Sequence, residues 1–219
     1  MKNIFRWKNK FRSLHLHRFI ILNLKLIIQI KKKTMTDIEK MAAGEVYWGF
    51  HPDFVPPLER GKDFCFQYNQ TPPSDKDSKR RLLEEFLQKV GRNVLPNSPI
   101  HIDFGNMEIG DDTVINFNLV VLDEALVKIG NHCFIGPNCS IYTVVHSLII
   151  EERNQGYMYA KPVVISDNCW LCGNVTVLPG VTIGEGSVIG AGSVVTKDIP
   201  AGVLAYGNPC KVIKKISQK

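Results

Sequence analysis

Two different rhythms of apolar residues divide this chain. Over residues 74–90, Leu82, Leu83, Phe86, Leu87 and Val90 recur at helical spacing on one face. That pattern predicts an amphipathic helix whose stripe packs against a partner surface. Acidic residues lie in its first turn, and Gly91 supplies a stop. A shorter helix is expected over 36–43, opened by the capping box Thr36-x-x-Glu39 and ended by Gly44. Between the two, Pro52, Pro56 and Pro57 read as a linker.

From about residue 100 the period changes to six. Stepping by six from Ile165 meets Leu171, Val177, Ile183, Ile189 and Val195. The same phase upstream meets Ile129, Ile135 and Ile141, and before them Ile109 and Ile115. The fifth position of each six is small or β-branched: Cys169, Val175, Val181, Ser187, Ser193 and Ile199, with Cys133, Cys139 and Val145 upstream. Glycine often follows the aliphatic, as at Gly110, Gly130, Gly136, Gly184 and Gly190. Neither a helix nor a plain alternating strand has this period. Short strands joined by sharp corners do, with the aliphatic pointing into a narrow coil and glycine tolerating positive φ at the corner. Three sixes close one triangular coil, and stacked coils bury a continuous column. The expected fold is therefore mainly β, a parallel β-helix over residues 96–216 behind a helical region over 35–95.

The rhythm fails once. Ile141 and Ile165 are in phase but 24 residues apart. The segment between carries Glu151, Glu152, Arg153, Asn154 and Gln155, which mark a loop over 143–161 extruded from one corner. Insertions of this kind often build the functional face of a repeat protein. His146 stands at its root. It reads either as a surface polar residue or as a general base, the commonest role of histidine near neutral pH.

Charge changes the picture little. The formal net charge is +6, but residues 1–34 hold ten Lys or Arg and no acid. The remainder holds 17 basic and 21 acidic groups, so the main body has no signature of a nucleic-acid binder. Within 1–34, the apolar run Phe19–Ile30 is broken by Lys25 and too short to span a bilayer. Three readings of this segment stand: an interfacial basic anchor that would touch membrane, a disordered basic tail, or sequence ahead of a true start at Met35. Of the six cysteines, Cys169 and Cys172 form a C-x-x-C. Cys133, Cys139 and Cys169 fall in the small-residue slot, which favours structural thiols over a redox or zinc motif. Reduced thiols suit a cytoplasmic location.

The six-residue repeat, the helical front end and the ending GNPCKVIKKI (207–216) resemble the maltose/galactoside O-acetyltransferase family. The likeness covers residues 36–216 and implies a left-handed coil; period six alone does not give the hand. It implies transfer of acetyl from acetyl-CoA to a sugar hydroxyl, no metal requirement, and a homotrimer with sites between subunits. The family's catalytic histidine lies in a T-x-x-H-P segment, matched by Thr143-Val144-Val145-His146, with Ser147 where proline is usual. For the acceptor, the likeness implies Asn116, Asp103, Met158 and an acidic contact at Asp123 or Glu124. For acetyl-CoA it implies Trp170 and Gly173 near the thioester, Ala191, Thr196 and Lys197 further along, and Lys211 and Lys214 at the phosphates. A second departure lies at the front end, where the family usually has an aspartate after an aromatic and this chain has Trp48 after Tyr47.

Rival readings are a xenobiotic or amino-acid hydroxyl as acceptor, a γ-class carbonic anhydrase, and a non-catalytic trimeric scaffold. The carbonic anhydrase needs three converging histidines. The repeat region offers His101, His132 and His146, none closely spaced.

Overall fold

The computed structural model describes residues 35–217. Expectations about residues 1–34 lie outside the described residues.

Residues 89–207 wind into a three-sided parallel β-helix. The first face stacks β2 (Lys89–Val90), β4 (Met107–Ile109), β7 (Val127–Ile129), β12 (Val163–Ile165) and β15 (Thr182–Ile183). The second face stacks β5 (Val114–Ile115), β8 (Phe134–Ile135), β13 (Trp170–Leu171), β16 (Val188–Ile189) and β18 (Val203–Gly207). It ends in the antiparallel β19 (Cys210–Lys215). The third face stacks β3 (Ile100–Ile102), β6 (Leu119–Leu122), β9 (Ser140–Tyr142), β14 (Thr176–Val177) and β17 (Val194–Val195).

The period of six follows from this winding. Strand register aligns Ile109, Ile129, Ile165 and Ile183 in one inward column. Ile115, Ile135, Leu171 and Ile189 make a second, and Val121, Ile141, Val177 and Val195 a third. All are buried. The fifth-position residues fill the space between columns, and their polar atoms bond to the next coil. Cys133 Sγ donates to the Ser166 carbonyl at 3.2 Å, and Cys139 Sγ to that of Cys172 at 3.2 Å. Thr113 and Ser187 serve the same slot with hydroxyls, donating to Gly130 and Pro200 carbonyls at 2.7 Å each. Val145 is an exception: the chain has left the coil by then, and Val145 is half-buried outside it.

The expected role of the glycines is corrected. Gly110, Gly130, Gly136, Gly184 and Gly190 do not have positive φ. The left-handed positions include Asp112, His132, Asn168 and Gly186 at the first-to-second corner, and Asn118, Asn138, Asn174 and Gly192 at the second-to-third. Asn and Asp tolerate that conformation through their short polar side chains. Glycine after the aliphatic is needed for close stacking instead. A Cβ on Gly110 would lie 2.5 Å from the Gly130 carbonyl carbon, and one on Gly130 2.6 Å from the Asp167 nitrogen.

The front end holds α1 (Asp37–Ala42), α2 (Val55–Gln70) and α3 (Lys76–Phe86). Both halves of the Thr36/Glu39 capping box form. The supposed proline linker is largely α2, whose first turn contains Pro56 and Pro57. Proline is tolerated there because the first-turn N–H groups have no helical partner. The second helix stops at Phe86, short of the expected Val90, and Lys89–Val90 is the first strand of the coil. The coil thus begins ahead of residue 96. Phe64 and Phe86 stack at 4.1 Å, and Asn69 bonds both the N–H and the carbonyl of Ile100 at 2.9 Å. These contacts close the open end of the coil.

Candidate active site

The break in the repeat is an antiparallel hairpin. β10 (Val144–His146) runs out from the third-to-first corner, α4 (Ile150–Asn154) forms its tip, and β11 (Tyr157–Ala160) returns. The front end adds a third strand, β1 (Tyr47–Trp48), to β11. Register places Tyr47, Met158 and His146 in one cross-strand row. Paired residues in such a row share a sheet face. His146 is exposed at the end of that row, and its ring has no hydrogen-bond partner among the described residues. It opens on a cleft of about 260 Å³ whose lining includes Val46, Ser147, Leu148, Glu152, Tyr157 and Met158.

The same corner carries the carboxylates. Asp123 is fully buried. Its Oδ1 accepts from the Phe104 N–H at 2.7 Å, and its Oδ2 is buried without a partner. Burial pushes its carboxyl up to about 6, against the pull of backbone hydrogen bonds. Glu124 is half-buried, and its carboxyl is pushed up to about 7, first by burial and then by Asp103 and Asp123. Asp103 is also raised by burial. Thr143 Oγ1 lies 3.5 Å from Glu124 Oε2 but donates to the Leu122 carbonyl at 2.8 Å. The Tyr47 hydroxyl is buried without a partner, and burial and the Glu124 charge hold its proton on. In the sequence Tyr47 stands out only as the residue before Trp48. Its pairing with Met158, more than a hundred residues away, left no local signal.

The remaining expected residues divide between two corners. Asn116 lies at the second-to-third corner, its Oδ1 accepting from the Phe117 N–H at 2.8 Å. Gly173 and Ala191 occupy the same corner two and three coils on, and Trp170 points outward from the second face beside them. Lys211 and Lys214 are on β19 at the edge of that face, opposite Tyr206 and Leu204. Thr196 and Lys197 lie instead at the third-to-first corner, on the side of the hairpin. One chain therefore does not bring Asn116, Trp170 or Gly173 to His146. No group of three His, Cys, Asp or Glu suited to a metal occurs among the described residues.

Residues 40–91 match the maltose acetyltransferase hexapeptide capping motif, and residues 162–197 the bacterial transferase hexapeptide of six repeats. Galactoside O-acetyltransferase of Escherichia coli K12 is 37% identical over 182 residues, spanning 83% of this chain and 90% of that protein. The chain belongs to the maltose/galactoside O-acetyltransferase family. A maltose O-acetyltransferase from Clostridium difficile 630 superposes with a TM-score of 0.82 at 38% identity, covering 84% of this chain and 99% of that one. A hexapeptide-repeat acetyltransferase from Vibrio cholerae, solved with acetyl coenzyme A, gives 0.78 at 35% identity, covering 84% and 100%. This acetyltransferase keeps its six cysteines as free thiols, with Cys133, Cys139 and Cys169 buried in coil slots. Burial raises all three, Cys169 to about 11, so they are poor nucleophiles.

Proposed function

We propose that this acetyltransferase carries acetyl from acetyl-CoA to a sugar hydroxyl, with His146 as the general base. The observation that carries the reading is His146 itself, an exposed imidazole without a hydrogen-bond partner among the described residues, at the mouth of a cleft. One ring nitrogen takes the proton of the acceptor hydroxyl as that oxygen attacks the thioester carbonyl. The tetrahedral intermediate collapses, the C–S bond breaks, and the proton passes to the departing CoA sulfur. Base assistance of this kind contributes about 10²–10⁴ in rate. Glu124, half-buried at the same corner, takes the role of acceptor contact; Asp123 is fully buried, with one of its oxygens held by the Phe104 N–H. Met158, beside His146, and Asp103 complete this side.

The site is completed by a second copy of the chain, in a closed trimer. A cyclic assembly joins two different patches of one surface head to tail. Among the described residues, exposed apolar side chains gather at two places that fit this joint. One surrounds the hairpin: Val46, Trp48, Phe50, Leu148, Ile149 and Ile150, with Leu148 93% exposed. The other covers the second face: Val114, Phe117, Phe134, Trp170 and Tyr206. Docking the first on the second sets His146 of one copy against Asn116, Trp170 and Gly173 of the next. Acetyl-CoA then lies between copies, with Ala191 from one side and Thr196 and Lys197 from the other. Lys211 and Lys214 face its phosphates as point charges. No helix among the described residues is long and apolar enough to cross a membrane. The free thiols fit a reducing cytoplasm.

Thiol release from acetyl-CoA over a panel of sugars and alcohols tests the reaction. His146→Ala is expected to lose about 10²-fold or more in kcat while binding acetyl-CoA as wild type does. Near wild-type turnover by that variant overturns the mechanism. A panel in which only non-sugar alcohols react overturns the acceptor.

A further inference from the structure

We propose that Ser147 and Trp48 are positioning residues that pin the two sides of the tip of the hairpin carrying His146. The inference rests on His146 as the base. At the exit end, the hydroxyl and carbonyl of Ser147 are both engaged by the turn that follows the histidine. Its Oγ donates to Glu152 Oε2 at 2.6 Å, a short bond of the charge-assisted kind. The same oxygen accepts from the Ile149 N–H at 3.1 Å, while α4 has no side-chain cap of its own. The Ser147 carbonyl accepts from Arg153 Nη1 at 3.0 Å. Residues 147–153 are thereby closed into a ring one residue from the base.

At the return end, Trp48 Nε1 donates to the Gln155 carbonyl at 2.8 Å, and the Gly49 N–H to that of Gly156 at 2.9 Å. Trp48 is in turn tied to α1, its N–H donating to Asp37 Oδ1 at 3.2 Å. Gly156, at φ +86°, lies so close to the Phe50 ring that a Cβ there would sit 2.5 Å from it. The front end thus grips the hairpin just before β11, the strand whose Met158 pairs with His146.

These two residues are the two departures from the family pattern named above, the proline position and the aspartate position. Both act at the tip of one hairpin, Ser147 from within it and Trp48 from the neighbouring strand, and both spend polar atoms on holding it. The indole N–H, being used on Gln155, is not offered to an acceptor. A base must be held to within about 0.5 Å of its productive place, and a 1 Å error can cost about 10²-fold.

The test is steady-state kinetics of the full chain with Ser147→Ala, Ser147→Pro, Trp48→Phe and Glu152→Gln. Ser147→Ala and Trp48→Phe are expected to lower kcat about 5- to 20-fold each, with KM for acetyl-CoA within about 2-fold of wild type. Glu152→Gln keeps shape and weakens the same anchor, for a loss of about 3-fold. Ser147→Pro is expected to stay within about 3-fold of wild type. Proline fixes φ by its ring, and the extended His146 before it tolerates that neighbour. Wild-type kcat in Ser147→Ala and Glu152→Gln, or Ser147→Pro as slow as Ser147→Ala, overturns the clamp. A loss appearing only as a raised KM for acetyl-CoA also overturns it. Full activity in His146→Ala is a separate result and overturns the base assignment instead.

Discussion

The first and second faces of the coil are built on the same inward plan and differ in what they turn outward. Inward, both stack aliphatics in register, Ile109, Ile129, Ile165 and Ile183 on one, Ile115, Ile135, Leu171 and Ile189 on the other. Outward, the first face shows Glu108, Lys128, Val164 and Thr182. The second shows Val114, Phe134, Trp170 and Val188. The inward column decides that a coil forms; the outward row decides what the coil meets. A polar row is content in water, whereas a contiguous apolar row on one face marks an interaction surface.

That contrast is broken most severely by charge on the second face. Val114→Glu with Phe134→Glu is expected to disperse the proposed trimer and abolish activity, while Lys128→Glu on the first face leaves both intact. Light scattering after size exclusion reads the mass, and thiol release reads the activity. A dispersed chain that keeps wild-type activity would place the whole site within one copy.

Next in size is the inward column. Ile141→Ala removes a fully buried side chain from the third face and should cost about 2–5 kcal/mol in chemical denaturation. Thr182→Ala, exposed on the first face, should stay within about 0.5 kcal/mol. Equal costs would mean that the columns do not carry the fold.

The smallest effect sharpens the difference between the hairpin corner and the rest. Glu124 has an ordinary value of 4.5 and is pushed up to about 7 in the folded chain. The folded state therefore binds the extra proton between those values, and its contribution to stability falls as pH rises through that window. Glu124→Gln cannot titrate. Its melting temperature should gain on wild type by a few degrees between pH 4 and pH 8. A constant difference across that range would contradict the burial of the Glu124 charge.

Much of the coil was legible because its inward position repeats, so Ile165 and Ile183 announce each other at a fixed step. The reason for the glycines was not. The atoms that exclude a Cβ at Gly110 belong to Gly130 and Asn131, one coil away, and a sequence window does not show the stacking distance. Pro56 and Pro57 hid α2 because proline punctuates a linker and opens a helix equally well. Val145 kept the phase of six by coincidence after the chain had left the coil. His146 was legible as the histidine in the one break. Its row with Met158 and Tyr47, and the grip of Trp48 on Gln155, join residues that only the folded chain makes neighbours.

The central claim, a base from one copy working on a groove from the next, is tested most directly by mixing two inactive variants. His146→Ala removes the base. Gly173→Trp fills the opposite corner, at a glycine whose Cβ would meet nothing closer than 3.3 Å. Co-expressed in equal amounts, the two should form mixed trimers with about one quarter of wild-type activity, because a random arrangement leaves that share of interfaces with both halves whole. Mixed trimers as dead as either parent would contradict a site shared between copies.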